Sequence, residues 1–286
     1  MEKARIITII GLGRVGTALL KAFTDQGYSV ISVYNRSEIS QGLQSQFPET
    51  AFYNGLPSND SPPGNYIFIT VSDDAIQSVS NELAHRFSTL ENISVIHCSG
   101  THSSNILDSL KLLGAITASF HPMKAITPKT DSFEDIWFDM EGDVAVLTEL
   151  EKMAAKFRAK TFRVEPEAKP LLHASAVVAS NYLVVLADLV SKISAKGNVS
   201  EEIALKALTP LMEATLQNIK ELGVTEALTG PISRGDVHTI KQHLESLKTS
   251  PNLISLYKTL GLEAVKIAER KEGSSQSLKE IKSLLS

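Results

Sequence analysis

The stretch Ile6-Ile7-Thr8-Ile9-Ile10-Gly11-Leu12-Gly13-Arg14-Val15-Gly16 decides the fold. The apolar run reads as a strand, and the three glycines form a G-x-G-x-x-G turn. The residues after them, 14–26, carry apolar side chains at helical spacing. A second strand is expected at 29–34. Alone the glycine motif is weak, but strand, glycines, helix and second strand in this order make a dinucleotide-binding fingerprint. The first glycine permits the tight turn, and Gly13 lets the backbone approach a pyrophosphate. Gly16 lets the helix pack closely on the strand, while the helix N-terminal amides hold the phosphates. Gly11, Leu12, Gly13, Arg14, Val15 and Gly16 are therefore the expected cofactor loop.

The end of the second strand bears on which dinucleotide is bound. An NAD site usually places Asp or Glu about 20 residues after the fingerprint, on the ribose 2′-hydroxyl. Here the residues are Asn35, Arg36 and Ser37. No carboxylate stands there to repel a 2′-phosphate, and a guanidinium can pair with one through two parallel hydrogen bonds. NADP(H) is expected in preference to NAD(H). Val71 ends a further strand beside this site. In the following Ser72-Asp73-Asp74, Ser72 or Asp73 is read as a helix cap and Asp74 as a favourable charge in the first turn.

Outward from the fingerprint, short apolar runs alternate with helical stretches up to about residue 165. Further strands are expected at 66–71, 93–97 and 116–120, with weaker ones at 137–141 and 160–164. Helices are expected at 37–46, 74–87, 103–113 and 144–157, and a surface loop at 54–65. This is the pattern of an α/β domain with a mostly parallel sheet. From residue 166 only helices are expected: 170–195, 201–222, 234–247, 252–271 and 277–285. The first of these is apolar nearly all round and should be buried on most sides. The expected domains are 1–165, Rossmann-like, and 166–286, all-helical. So apolar a helix in so small a domain points to a homodimer through the helical domain.

Composition narrows the function. The 286 residues are 43% hydrophobic and 21% charged, as in an ordinary globular chain. Lys and Arg number 28 against 32 Asp and Glu, net −4, which argues against a nucleic-acid partner. The single cysteine, Cys98, cannot form an internal disulfide and fits a reducing compartment. No targeting segment is visible, and a cytoplasmic location is expected. The apolar stretch 174–190 is interrupted by Ser175, Ser180, Asn181 and Asp188. It falls short of the roughly 20 clean residues of a membrane span, so no membrane association is expected.

Several strings in combination resemble one family. They are the glycine loop, Asn35-Arg36-Ser37, His97-Cys98-Ser99-Gly100 and Ser119-Phe120-His121-Pro122-Met123. To these are added His173 with Ser180-Asn181-Tyr182, and Thr229-Gly230-Pro231 leading to Arg234-Gly235-Asp236. Over essentially the whole chain this resembles a family of candidate NADP-dependent oxidoreductases that joins a Rossmann-like domain to a helical domain of unknown function. The architecture is also similar to pyrroline-5-carboxylate reductase, ketopantoate reductase and the β-hydroxyacid dehydrogenases. The resemblance implies a second domain of the 6-phosphogluconate dehydrogenase C-terminal type, dimerisation through it, and hydride transfer to a small-molecule substrate held between the domains.

Reduction of C=O or C=N needs a proton source beside the hydride donor. In an open α/β sheet, ligands gather beyond the carboxyl ends of the strands. That nominates Ser99, Gly100, Thr101, His102, His121 and Pro122, with Ser99 serving cofactor or substrate, Gly100 the substrate and His121 the chemistry. His97, Cys98, His102 and His121 include metal-ligand types. Adjacent strand residues point to opposite faces and no ligand-type spacing exists, so no metal is expected. The β-hydroxyacid dehydrogenases place a catalytic Lys and an Asn four residues later on the long helix. Here Lys169 is followed by His173, and Pro170 disfavours helical backbone at Lys169. Proton donation is therefore read onto His173, with Asn181 orienting the substrate. In Ser233-Arg234-Gly235-Asp236, Ser233 and Asp236 resemble a capping box. Arg234 in a first helical turn would oppose the helix dipole unless it faces an anionic ligand, such as a substrate carboxylate. A small carbonyl, hydroxy-acid or imine compound is the expected substrate. The alternatives are a module that binds NADP(H) without turnover and a reduced-deazaflavin enzyme of similar fold.

Overall fold

The computed structural model describes residues 5–127, 130 and 132–286. Ile6–Ile10 forms β1 and Arg14–Asp25 forms α1, joined by the glycine loop. Then come β2 (Ser29–Asn35), a single helical turn α2 (Gln41–Gln44), β3 (Ala51–Asn54), β4 (Tyr66–Ile69) and α3 (Asp73–Arg86). They are followed by β5 (Ser94–His97), α4 (Asp108–Lys111), β6 (Ile116–Pro122), β7 (Trp137–Gly142), α5 (Val144–Lys156) and β8 (Lys160–Arg163). The helical part comprises α6 (Lys169–Lys196), α7 (Glu201–Ala227), α8 (Val237–Leu247), α9 (Pro251–Glu272) and α10 (Gln276–Leu285).

The eight strands form one sheet in the order β3-β2-β1-β4-β5-β6-β7-β8. All pairings are parallel except that of β6 with β7. The central strands are buried on both faces, and their alternate residues join different cores. Ile7, Ile9, Phe68 and Ile96 pack with Leu19, Leu20 and Phe23 of α1 and Leu147 and Leu150 of α5. Ile10, Ile67, Ile69 and Val95 pack with Ile76 and Leu83 of α3 and Leu110 of α4. Helices thus cover both faces of a doubly wound sheet, as the alternating sequence pattern requires.

Several local expectations are corrected. Strand β3 was not anticipated, because four residues at an edge carry too little pattern. The helix expected at 37–46 shrinks to α2, where Gly42 and a polar composition leave no apolar face to bury. The helix expected at 103–113 splits into a 3₁₀ turn, Ser104–Leu107, and α4. There the carboxylate of Glu141 takes the backbone N–H of Ser104 and accepts from its hydroxyl at 3.1 Å. Ser72 occupies the N-cap position of α3, but neither it nor Asp73 makes a capping side-chain bond to the helix.

Two compact units are present, Met1–Ser180 and Asn181–Ser286, dividing within α6. In the second unit Ile240 of α8, Val265 and Ala268 of α9, and Leu278, Ile281 and Leu285 of α10 form the core, closed by Ile232. The cap of α8 is Asp236, whose carboxylate accepts from the backbone N–H and hydroxyl of Thr239 at 3.0 and 2.7 Å. The expected pairing of Ser233 with Asp236 does not form. Arg234 lies in the turn before the helix, clear of its first turn, because Gly235 takes a left-handed φ of +66° and ends that turn. Helix α7 bends at Gly223, φ +77°, so its regular part ends where the sequence pattern did.

Helix α6 contradicts the expectation of burial. Leu171 is 74% exposed, Val178 58%, Tyr182 55% and Val184 70%. Among the described residues none covers these side chains. The helix is also long and apolar enough, by length and composition, to cross a membrane, with a mean hydropathy of 1.6 over its most apolar window. The interruptions in 174–190 therefore do not bring it below that threshold.

Candidate functional site

Strand order places the reversal of connection between β1 and β4, where open α/β sheets bind ligands beyond the carboxyl edge. A cavity of about 460 Å³ lies there. Gly11, Leu12 and Gly13 line it after β1, Asn35, Arg36 and Ser37 after β2, and Val71 and Ser72 after β4. The glycines divide the work as their spacing implies. Gly11 has φ +99°, and a Cβ there would meet the Val71 backbone nitrogen at 2.8 Å. A Cβ on Gly16 would stand 2.1 Å from the Gly11 carbonyl oxygen, so helix and strand touch through it. At Gly13 a Cβ would meet only the Thr70 carbonyl oxygen, at 3.9 Å, leaving the backbone open to a ligand. Gly13 is also the N-cap of α1, with no side chain bonded to the helix amides and no acid in the first turn. Open backbone and free helix amides together fit a dinucleotide pyrophosphate.

Asn35 accepts the Leu12 N–H at 3.1 Å and donates to the Ser37 carbonyl at 2.9 Å, tying the β2 end to the glycine loop. Arg36 is exposed and makes no ion pair among the described residues. Glu82, also on the cavity wall, pairs with Arg86 at 2.6 Å, which offsets its charge.

A second assembly in the same unit gathers polar groups from four elements. Lys169, at the start of α6, is fully buried. It donates to the Asp139 carboxylate of β7 at 2.5 Å and to the Ser119 hydroxyl of β6 at 2.7 Å. Ser119 in turn donates to the Ser99 carbonyl at 3.4 Å, fixing the segment after β5. The other carboxylate oxygen of Asp139 lies 2.6 Å from His121 Nδ1. Burial opposes ionisation of Asp139, but the hydrogen bond from His121 and the Lys169 charge outweigh it and hold the carboxyl below its ordinary range. An ionised Asp139 only accepts, so His121 carries its proton on Nδ1 and turns Nε2 away from the aspartate.

The Nε2 side of His121 faces Gly100. A Cβ on Gly100 would lie 2.7 Å from His121 Cε1 and 2.7 Å from His173 Nδ1. The two imidazoles stand 6.1 Å apart, centre to centre, with Gly100 packed against both. His173 Nδ1 is buried and has no hydrogen-bond partner among the described residues. A buried polar atom of this kind calls for a ligand or water.

Of the residues nominated from sequence, Gly100, His121 and His173 are brought together. Asn181 and Arg234 are both exposed and fall in the second unit. The Ser99 hydroxyl is buried and accepts the N–H groups of Thr101 and His102, at 3.1 and 3.2 Å. Two neighbours are inert. His97 accepts from the Ser99 N–H on Nδ1 and contacts the Ser103 carbonyl through Nε2, and burial, with the Lys169 charge, pushes its pKa down to about 3. Burial pushes the Cys98 thiol up to about 12. Among the described residues no three His, Cys, Asp or Glu side chains assemble as metal ligands.

Asp139 and Lys169 were missed from sequence. The overlooked sign was the strand Trp137–Gly142, where Asp139 and Glu141 alternate with Phe138 and Met140. Both faces of that strand are buried, so each acid required a partner. Pro170 misdirected the reading of Lys169, which is helical at φ −52°, ψ −52°. A proline near a helix start lacks an N–H that would be unpaired anyway, and the buried ion pair holds the lysine in place.

Residues 1–122 match the Rossmann-like domain family, and residues 136–264 match the domain of unknown function DUF2520. No curated protein sequence matches the chain. Among solved structures, a Thermotoga maritima protein is 28% identical, with a TM-score of 0.71 over 92% of this chain and 98% of its own. A candidate NADP oxidoreductase from Bacteroides fragilis is 22% identical, with a TM-score of 0.69 over 91% and 97%. A reductive aminase from Aspergillus terreus, solved with NADPH4, cyclohexanone and allyl amine, is 16% identical, with a TM-score of 0.63 over 99% and 100%. These chains share the fold from end to end.

Proposed function

We propose that this chain, a Rossmann-like domain joined to a DUF2520 helical domain, is an NADP(H)-dependent oxidoreductase acting on a small carbonyl, hydroxy-acid or imine substrate. The observation that carries the reading is the open backbone at Gly13 beside the uncapped N-terminus of α1, at the reversal point of the sheet. When bound there, NADPH supplies the hydride. The amides after Gly13 hold its phosphates, Asn35 braces the loop, and Arg36 takes the 2′-phosphate. His121 and His173 supply the proton-handling side of the reaction, with Asn181 orienting the substrate, Ser99 and Gly100 shaping its site and Arg234 pairing with an anionic group on it.

The first test is thermal stability of the purified protein with NADPH, NADH or neither. A cofactor at about 100 times its Kd adds roughly 2.7 kcal/mol. NADPH should raise the melting temperature more than NADH does, and Arg36→Ala should abolish that difference. No shift with either would remove the reading. A second reading, a module that binds NADP(H) without turnover, is favoured by one observation: Lys169, which the resemblance sets beside the catalytic lysine of the β-hydroxyacid dehydrogenases, is sealed in an ion pair. His173→Ala separates the two, since an enzyme loses turnover while keeping the cofactor.

The exposed apolar faces of α6 and α7 support a homodimer. Val184 and Val185 on α6 and Leu211 and Leu222 on α7 are all more than half exposed. Apolar faces of this extent on a globular chain mark an interaction surface. A second copy of the chain is the occupant proposed here, and a membrane the alternative that the oligomeric state in detergent-free buffer would expose. One cysteine and a mildly acidic surface suit a cytoplasmic protein.

A further inference from the structure

We propose that Asp139 and Lys169 are positioning residues that fix the ring of His121 so that its Nε2, beside His173 Nδ1, meets the reducible oxygen or nitrogen of the substrate. The inference rests on the oxidoreductase reading and specifies which imidazole moves the proton. Four observations carry it. Asp139 fixes His121 through Nδ1 at 2.6 Å, which leaves Nε2 for the substrate. Lys169, fully buried, holds the other oxygen of the same carboxylate, so Asp139 cannot rotate away from the ring. A Cβ at position 100 would collide with both imidazoles, so Gly100 packs directly against them and sets their spacing. His173 Nδ1, beside it, is buried and unpartnered among the described residues.

In the reductive direction bound NADPH would supply the hydride to the carbonyl or imine carbon and be left as NADP⁺. The π pair of the C=O or C=N bond moves onto the heteroatom, and protonated His121 gives that atom the proton from Nε2. Solvent then returns a proton to the ring. In the oxidative direction each transfer reverses, with neutral His121 taking the proton. His173 Nδ1 holds the same heteroatom. This assigns proton transfer to His121 and substrate binding to His173, where the sequence reading put proton donation on His173.

Among the described residues, Asp139 meets His121 directly from β7, Lys169 acts on it through that carboxylate from α6, and His173 stands edge-on to it from α6. Removing the aspartate charge or the lysine charge should therefore move the titration of His121 in opposite directions.

The test has two arms. In the first, ¹³C-histidine NMR follows His121 through a pH titration, with His121→Gln assigning the resonance. Asp139→Asn should lower the midpoint and Lys169→Met should raise it, each by about half a pH unit or more. Midpoints that stay put, or that move the same way, overturn the relay. Should Lys169→Met fail to fold, the Asp139→Asn/Lys169→Met double variant removes both charges together. Its midpoint should lie above that of Asp139→Asn alone, because the repelling lysine charge is gone as well, and a midpoint equal to or below that of Asp139→Asn overturns the proposal. In the second arm, NADPH oxidation is followed with pyruvate, cyclohexanone and 1-pyrroline as probes. With whichever probe is reduced, Asp139→Asn should lower kcat about tenfold or more and shift the pH profile downward, leaving KM for NADPH unchanged. A uniform loss with an unmoved profile overturns the proposal. Failure to bind NADPH defeats the oxidoreductase reading instead, and leaves the first arm readable.

Discussion

Gly13 and Gly16 occupy one motif, but a methyl group means different things at each. At Gly16 it would lie 2.1 Å from the Gly11 carbonyl oxygen, within rigid backbone. Gly16→Ala should therefore lower stability in urea unfolding by about 3 kcal/mol or more, since packed backbone cannot yield cheaply. At Gly13 the nearest atom would be 3.9 Å away, and φ is −76°, which alanine adopts freely. Gly13→Ala should keep its stability within about 1 kcal/mol of wild type, yet weaken NADPH at least about tenfold in equilibrium titration, since the methyl occupies the approach to the pyrophosphate. The motif announced all three glycines. Which one is structural and which faces ligand became plain only from what surrounds each Cβ position.

The C-terminal helix shows the same logic in an element. Leu278, Ile281 and Leu285 recur at helical spacing and all three are buried in the core of the second unit. The helix is started by Ser275, whose hydroxyl accepts the Leu278 N–H at 3.2 Å. Ser275→Ala should cost about 1 kcal/mol, the ordinary value of a helix cap. Ile281→Ala should cost about 2–5 kcal/mol by leaving a cavity. Denaturation curves read by circular dichroism would measure both. Periodicity made α10 legible before any coordinates. It failed for α6, where apolar residues all round implied burial and the chain leaves them exposed, because periodicity reports that a face needs cover without saying which molecule provides it.

For the whole molecule, acid is the informative stress. His97 is fully buried and its pKa is pushed down to about 3 from an ordinary value of 6.5. The unfolded chain therefore takes up a proton that the folded protein refuses, and stability falls as pH drops from 6.5 towards 3. Between pH 7 and pH 5 this one group should remove about 2 kcal/mol. Asp139 and Glu149, both depressed, contribute stability that is lost only below their ordinary values of 3.8 and 4.5. Urea unfolding at the two pH values should show the loss in wild type, and His97→Gln should lack that part of it. The assembly is testable on the same sample. Sedimentation should give a dimer, and Val184→Glu, a charge on the 70% exposed centre of α6, should shift it to monomer.

The sequence alone determined the strand–glycine–helix beginning, the doubly wound sheet, the change to helices near residue 166 and the nomination of Gly100, His121 and His173. Each of these is written in periodicity or in residues with few alternative uses, and such information is local. Tertiary structure decided the rest. It paired Asp139 with Lys169 across 30 positions of chain, gave His121 its tautomer, and left His173 Nδ1 without a partner. A buried charge declares only that a partner must exist. Which residue meets it depends on how β6, β7 and the start of α6 are stacked, and no stretch of sequence carries that by itself.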